Sequence, residues 1–271
     1  MTDSKTLYLE LIQRCLTRGI YREPRLVPVN NDRLLKRMCV KVFASLGVQL
    51  VRTERANRYN FEARQAGHDQ PHPTWFPHTM IGLGRLDNIR SCMEDVLRRR
   101  VPGDFIETGV WQGGAAIFMR AVLKAHNVSD RSIWAADSFQ GFPKGNPEKY
   151  SDDVGAEGQL AVSIDEVKAN FASYGLLDER VKFLKGWFSE TLPTAPINSL
   201  AVARLDGDQY GSTMDALTAL YPKLSVGGYL IVDDYGGPSC RDAVTDFRKT
   251  HNIEEEIRSV DETCVYWQRT R

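Results

Sequence analysis

Two acidic clusters follow directly on apolar runs. Arg204-Leu205-Asp206-Gly207-Asp208-Gln209-Tyr210 extends the run that begins at Leu200, and Asp233-Asp234-Tyr235 extends Tyr229-Leu230-Ile231-Val232. Both runs read as buried strands, so four carboxylates are expected to converge at one sheet edge. In an open α/β sheet the crevice beyond the carboxyl ends of the strands is where ligands bind. Asp206, Asp233 and Asp234 offer hard oxygen donors with no His or Cys beside them, a set suited to a divalent cation that keeps several waters, and Mg²⁺ is the natural choice. Acidic residues at strand ends also cap helices, which would account for one of the four. Clustered without a neutralising Lys, all four repel one another unless a cation or raised pKa values relieve them.

A second constellation lies upstream. Phe105-Ile106-Glu107-Thr108-Gly109-Val110-Trp111-Gln112-Gly113-Gly114 reads as a strand, a glycine turn and a helix start, and Asp137 ends the next strand, where a carboxylate accepts from ribose hydroxyls. The glycine spacing departs from G-x-G-x-x-G, whose close approach serves a pyrophosphate. S-adenosylmethionine carries no phosphate, so the departure favours a sulfonium nucleoside over NAD. Glu107 beside the turn is then placed to face the ammonium group or order a water there. Gly186-Trp187-Phe188 offers an aromatic that either stacks on adenine or belongs to the core. An alcohol attacking a sulfonium methyl must approach as its alkoxide, which calls for a Lewis acid and a general base. Asp208 is the candidate base, with an ordinary turn or N-cap carboxylate before the following helix as the competing reading.

The elements that must position these groups alternate. Residues 104–107, 133–137, 181–184, 200–205 and 229–232 read as strands, and residues 113–126, 164–174 and 212–224 show helical periodicity, with Gly227-Gly228 marking the stop before the last strand. That rhythm predicts a mostly parallel sheet covered by helices. Residues 255–260 and 263–268 read as two strands joined at Asp261-Glu262, and a terminal hairpin on a parallel sheet suggests the methyltransferase type of doubly wound fold. Residues 1–80 differ. Amphipathic stretches at 5–16 and 31–46 precede a polar segment, 70–78, that holds His72 and His78. This part is expected to act as a lid or oligomer contact rather than more sheet, and residues 141–158 as a mobile loop above the site.

Composition narrows the function classes. Lys and Arg total 35, as do Asp and Glu, among 271 residues, so no global field attracts nucleic acid or an anionic membrane. Cys15, Cys39, Cys92, Cys240 and Cys264 are scattered without a CxxC, which argues against a zinc site or disulfide framework and for a reducing cytoplasm. No signal peptide or apolar membrane span is read. The five histidines lack metal-ligand spacing, and no nucleophile elbow supports hydrolase chemistry.

The motifs His78-Thr79-Met80-Ile81-Gly82, Arg85-Leu86-Asp87-Asn88, residues 102–114, residues 136–144, Tyr174-Gly175-Leu176-Leu177-Asp178, Gly186-Trp187-Phe188, Asp206-Gly207-Asp208 and Val232-Asp233-Asp234-Tyr235 together resemble the TylF/MycF group of macrocin-type sugar O-methyltransferases of antibiotic biosynthesis. The resemblance covers nearly everything after residue 77. It implies an α/β class I S-adenosylmethionine-dependent methyltransferase fold, with a seven-stranded, mostly parallel sheet, a C-terminal antiparallel hairpin and a Rossmann-like domain over residues 81–271. It assigns Met80, Glu107, Thr108, Gly109, Val110, Asp137, Ser138, Gly186 and Trp187 to the cofactor pocket. Asp206, Asp233 and Asp234 are assigned to Mg²⁺, and Asp208 to the base. Residues 30–77 and 145–161 depart from the family's pattern and are expected to shape the acceptor pocket. The acceptor implied is a hydroxyl of a sugar on a glycosylated small molecule, and a homo-oligomer is expected. A catechol-type diol acceptor and a nucleoside-binding protein without turnover are the rival readings.

Overall fold

The computed structural model describes residues 3–20, 25–28, 34–48, 51–54, 77–146, 148–150 and 157–271. In chain order α1 (Ser4–Leu16), β1 (Arg25–Pro28), α2 (Leu34–Ser45) and β2 (Val51–Glu54) precede α3 (Leu83–Arg98). Five strand–helix units follow: β3 (Asp104–Thr108) with α4 (Gly114–Ala125), β4 (Ile133–Asp137) with α5 (Ile164–Ser173), β5 (Val181–Lys185) with the short α6 (Phe188–Thr191), β6 (Leu200–Leu205) with α7 (Tyr210–Leu220), and β7 (Leu224–Val232) with α8 (Pro238–Thr250). β8 (Arg258–Ser259) and β9 (Val265–Gln268) close the chain.

The seven-stranded sheet runs β5-β4-β3-β6-β7-β9-β8. β3 to β7 are parallel, and β9 pairs antiparallel with both β7 and β8. The expected hairpin is present, with a shorter first strand. Helices cover both faces, which is why β4 and β6 read as near-continuous apolar runs rather than alternating ones. Side chains nevertheless alternate in direction. Phe105, Ile133 and Ala135 pack with Leu9 and Leu16 of α1, Met93 of α3, Phe118 of α4 and Phe171 of α5. Ile106, Trp134 and Ala136 pack with Leu217 and Leu220 of α7 and with Val244 and Phe247 of α8.

Because β3 has β4 on one side and β6 on the other, the strand order reverses between β3 and β6, and the crevice opens at their carboxyl ends. Three details depart from the sequence reading. β7 runs through Gly227-Gly228 instead of starting after it. The β6–β7 register shifts between Leu200 and Val202, Gly227 adopts φ +87, and a Cβ at Gly228 would lie 2.7 Å from the Ala201 carbonyl oxygen. The pair therefore makes a bulge, not a stop. Residues 1–80 contain sheet after all, since β1 and β2 pair antiparallel, separately from the main sheet. Within that segment α1 packs into the central core through Leu9, Ile12 and Leu16, while His72 and nearly all of residues 70–78 lie outside the described residues. Finally, α3 and α8 are helices that periodicity did not mark. Among the described residues no helix is long and apolar enough to cross a membrane.

Candidate active site

β3 delivers the glycine turn. Gly109 adopts φ +79 and donates its N–H to Ala136 O at 2.9 Å, so the turn is fastened to the end of β4. Asp137 completes the fastening. One of its oxygens accepts from Val110 N (2.8 Å) and Trp111 N (3.3 Å), the other from Phe139 N (2.7 Å). The Ser138 hydroxyl also lies 3.4 Å from Asp137 but spends its one proton on Gly141 O at 2.8 Å, so of the carboxylate's roughly four lone-pair sites one remains for a ligand hydroxyl. Ser138 is buried and local, donating to Gly141 O at 2.8 Å and accepting from Gln140 N at 3.0 Å. At the start of α4, a Cβ on Gly114 would lie 2.6 Å from the His78 carbonyl carbon. That close approach draws the 78–79 segment over the helix and carries Met80 to the crevice.

The parallel ladder continues one residue past each central strand. Asp206 N–H donates to Thr108 O (3.0 Å) and Asp233 N–H to Leu205 O (2.9 Å), which brings the two acidic clusters into register. Beyond Asp206 the backbone leaves the extended conformation that the sequence reading supposed. Asp208 is left-handed at φ +52, its N–H reaches Asp234 Oδ2 at 3.3 Å, and its carbonyl accepts from the Ser239 hydroxyl of α8 at 3.0 Å. Asp and Asn tolerate this conformation better than most residues. The N-cap of α7 is Gln209, whose side chain donates to Pro143 O instead, so Asp208 is not the cap.

The outcome is a group of three carboxylates, Asp206, Asp208 and Asp234, with one oxygen of each lying within 4.8 Å of the others. Asp233 stands outside it. Its two oxygens face Arg204 and Arg85, each at 2.6 Å, and Arg85 continues to Asp261 of the hairpin turn at 2.7 Å. The charge balance inferred from sequence needs correction here, because two arginines neutralise part of the cluster. Burial, and next the mutual repulsion of the carboxylates, sets their affinities for protons. Burial raises Asp208 to about 7, with the charges of Asp206 and Asp233 adding to it. Asp234 is held well above the usual carboxylate range by burial and by Asp206, Asp208 and Asp233. Burial also raises Asp206, although the Arg204 charge opposes it. Three hard donors that resist holding three negative charges fit a divalent cation.

Asp206 and Asp208 open onto a cavity of about 900 Å³. Of the expected cofactor residues, Met80, Gly109, Asp137, Ser138 and Trp187 line it, beside Asp206 and Asp208. Glu107, Thr108, Val110 and Gly186 do not. Glu107 turns beneath the sheet end to pair with Arg204 at 2.7 Å rather than facing the cavity, and burial pushes its carboxyl up to about 8. Val110 and Gly186 contribute through backbone, Gly186 N–H donating to Asp137 O at 2.9 Å. Trp111, left-handed at φ +46, forms part of the wall. The opposite wall comes from residues 141–146, 149–150 and 157–160. Here Phe142 bridges to Glu157, and Tyr150 stacks on Tyr210 with ring centroids 5.4 Å apart. The Lys149 ammonium lies 4.8 Å from both ring centres. Sequence reasoning assigned no role to Arg85, Trp111, Tyr150 or Arg204. For Arg204 a signal was present, since a charge inside an apolar central strand must find partners.

Comparison with known proteins agrees with this architecture. Demethyldecarbamoylnovobiocin O-methyltransferase of Streptomyces niveus is 54% identical over 275 residues, spanning 99% of this chain and 95% of that protein. The 8-demethyl-8-(2,3-dimethoxy-alpha-L-rhamnosyl)-tetracenomycin-C 4'-O-methyltransferase of Streptomyces olivaceus is 44% identical over 273 residues, spanning 99% and 94%. The solved structure of the O-methyltransferase NovP matches with a TM-score of 0.80 at 46% identity, covering 99% of this chain and all of that one, and the shared fold is the class I methyltransferase fold. The profile of the macrocin-O-methyltransferase (TylF) family matches residues 5–269, and the chain belongs to that family.

Proposed function

We propose that this protein is an S-adenosylmethionine-dependent O-methyltransferase of antibiotic biosynthesis that requires Mg²⁺ and acts on a sugar hydroxyl of a glycosylated small molecule. The observation that carries the reading is the convergence of Asp206, Asp208 and Asp234 into one group, of which Asp206 and Asp208 line the cavity that also holds Gly109 and Asp137. The rhamnosyl group in the name of the Streptomyces olivaceus relative supports a sugar acceptor. When bound, the donor supplies an electrophilic sulfonium methyl, and the cation makes a coordinated hydroxyl more acidic. Asp137 has acceptor capacity for a ribose hydroxyl, and Met80 and Trp187 supply apolar wall. Asp206 and Asp234 present hard oxygens for the cation. Asp233, the third ligand that the resemblance implies, must share its carboxylate with Arg204 and Arg85 to take that role.

Asp208 takes the proton from the acceptor hydroxyl. Burial and the neighbouring carboxylates raise its affinity for a proton above that of an ordinary carboxylate, in the direction a general base needs. The cavity wall at residues 141–146, 149–150 and 157–160 excludes water around the acceptor. Leu7 and Leu11, one turn apart on α1 and exposed, support self-association; a strict monomer by light scattering at micromolar concentration would refute it.

Asp208→Asn tests the base. Turnover is expected to fall by roughly 10²–10⁴-fold, with donor and Mn²⁺ affinities retained. Undiminished turnover would sink the assignment.

A further inference from the structure

Arg204 is 1% exposed, in a strand whose other residues are all apolar. Its register partners are Glu107 in β3 and Ile231 in β7. From that position the guanidinium reaches a carboxylate at the end of each of the three central strands. One terminal nitrogen lies 2.7 Å from Glu107 Oε1 and 2.8 Å from Asp206 Oδ2, and the other lies 2.6 Å from Asp233 Oδ1. The residue does not line the cavity. A planar guanidinium hydrogen-bonded to Glu107 in β3 and ion-paired with Asp233 beyond β7 commits one oxygen of Asp206 and leaves that side chain little freedom to rotate.

We infer that Arg204 is a positioning residue: its guanidinium holds Asp206 at the spacing from Asp234 that lets the two accept a divalent cation beside Asp208, without itself touching donor, acceptor or cation. The inference rests on the cation-binding reading proposed above. A lysine retains the charge but concentrates it on one flexible nitrogen, which cannot span three strand ends. Charge and geometry therefore separate experimentally. If Arg204 supplied only charge, removing it would strengthen cation binding, because a repulsive positive charge would be gone. If Arg204 positions Asp206, both the lysine variant and a neutral variant weaken it.

The test uses the full chain and its Arg204→Lys and Arg204→Met variants, with Mn²⁺ as probe. Free Mn²⁺ is followed by electron paramagnetic resonance, donor affinity by calorimetry, and folding by thermal unfolding. Arg204→Lys is expected to unfold cooperatively, bind donor as the parent does, and lose ~10–100-fold in Mn²⁺ affinity, the usual effect of removing a residue that orients a ligand. Arg204→Met is expected to weaken Mn²⁺ binding as well. Parental Mn²⁺ affinity in folded Arg204→Lys, or tighter binding in Arg204→Met, overturns the inference while leaving the proposed function standing. Absence of Mn²⁺ binding to the parent overturns both. Should the Arg204 variants not fold, Glu107→Asp withdraws one anchor of the guanidinium while keeping a carboxyl group on that strand. Weaker Mn²⁺ binding is expected there too, and unchanged affinity overturns the inference.

Discussion

Gly109 joins the donor turn to the carboxylate group, and substituting it with alanine tests whether they form one mechanical unit. At φ +79 an L side chain is strained, and a Cβ would lie 2.9 Å from the Asp206 carbonyl carbon and closer still to its oxygen. Left-handed backbone costs a non-glycine residue roughly 1–2 kcal/mol. Overpacking against backbone, which cannot rotate aside, adds about 1–3 kcal/mol. The combined loss of about 2–5 kcal/mol corresponds to a Tm lower by roughly 4–20 °C in a domain of this size. Relief of the clash pushes Asp206 away from the turn, against the Asp206 N–H to Thr108 O bond of 3.0 Å. Donor and Mn²⁺ affinities are therefore expected to fall together. Gly84→Ala is the control. It sits exposed in α3 with no atom within 4 Å of its would-be Cβ, so alanine there gains about 0.5–1 kcal/mol. Thermal unfolding and calorimetric titration of the donor into both variants make the assay. Gly109→Ala with parental Tm and donor affinity, or Gly84→Ala destabilised as much as Gly109→Ala, would refute the reasoning.

Further outcomes follow from the buried charges. Asp233→Asn breaks ion pairs with Arg85 and Arg204 and is expected to cost about 3–5 kcal/mol, as loss of one partner of a buried pair does. Its Mn²⁺ affinity is expected to drop, and full affinity would leave Asp233 only its ion-pair role. Glu107 and Asp208, raised by burial to about 8 and about 7, are neutralised more readily folded than unfolded. Their contribution to stability is present at low pH and lost as pH rises through those values. In chelator the Tm is therefore expected to fall between pH 6.5 and 8, and Mg²⁺ to offset the fall. His78, depressed by burial, opposes this only below that window, and the raised thiols Cys92, Cys240 and Cys264 act above it. A Tm that is flat or rising across the window would contradict the burial assigned to Glu107 and Asp208.

Much of the sheet was legible because strands covered on both faces carry unbroken apolar runs, and because carboxylates at the ends of adjacent parallel strands must end up side by side. The convergence of Asp206, Asp208 and Asp234 follows from that geometry. Its detail did not, since Asp208 arrives through a left-handed turn and not along an extended strand. Asp233 and Glu107 were placed at the correct strand ends, but their pairing with Arg204 depends on the β3–β6 and β6–β7 registers, which no local pattern encodes. Gly227-Gly228 was read as a break because glycines signal both stops and bulges, and only the neighbouring strand decides. α8, which periodicity did not mark, begins at Pro238, a residue favoured in the first turn of a helix.

The most direct test of the whole is methyl transfer from radiolabelled S-adenosylmethionine to a glycosylated acceptor, followed while Mg²⁺ is removed with EDTA and then restored. Transfer that needs the divalent cation, stops in EDTA and returns with Mg²⁺ is expected. Transfer that continues undiminished in EDTA, or a donor that does not bind the cation-loaded protein at all, would contradict the role given to Asp206, Asp208 and Asp234.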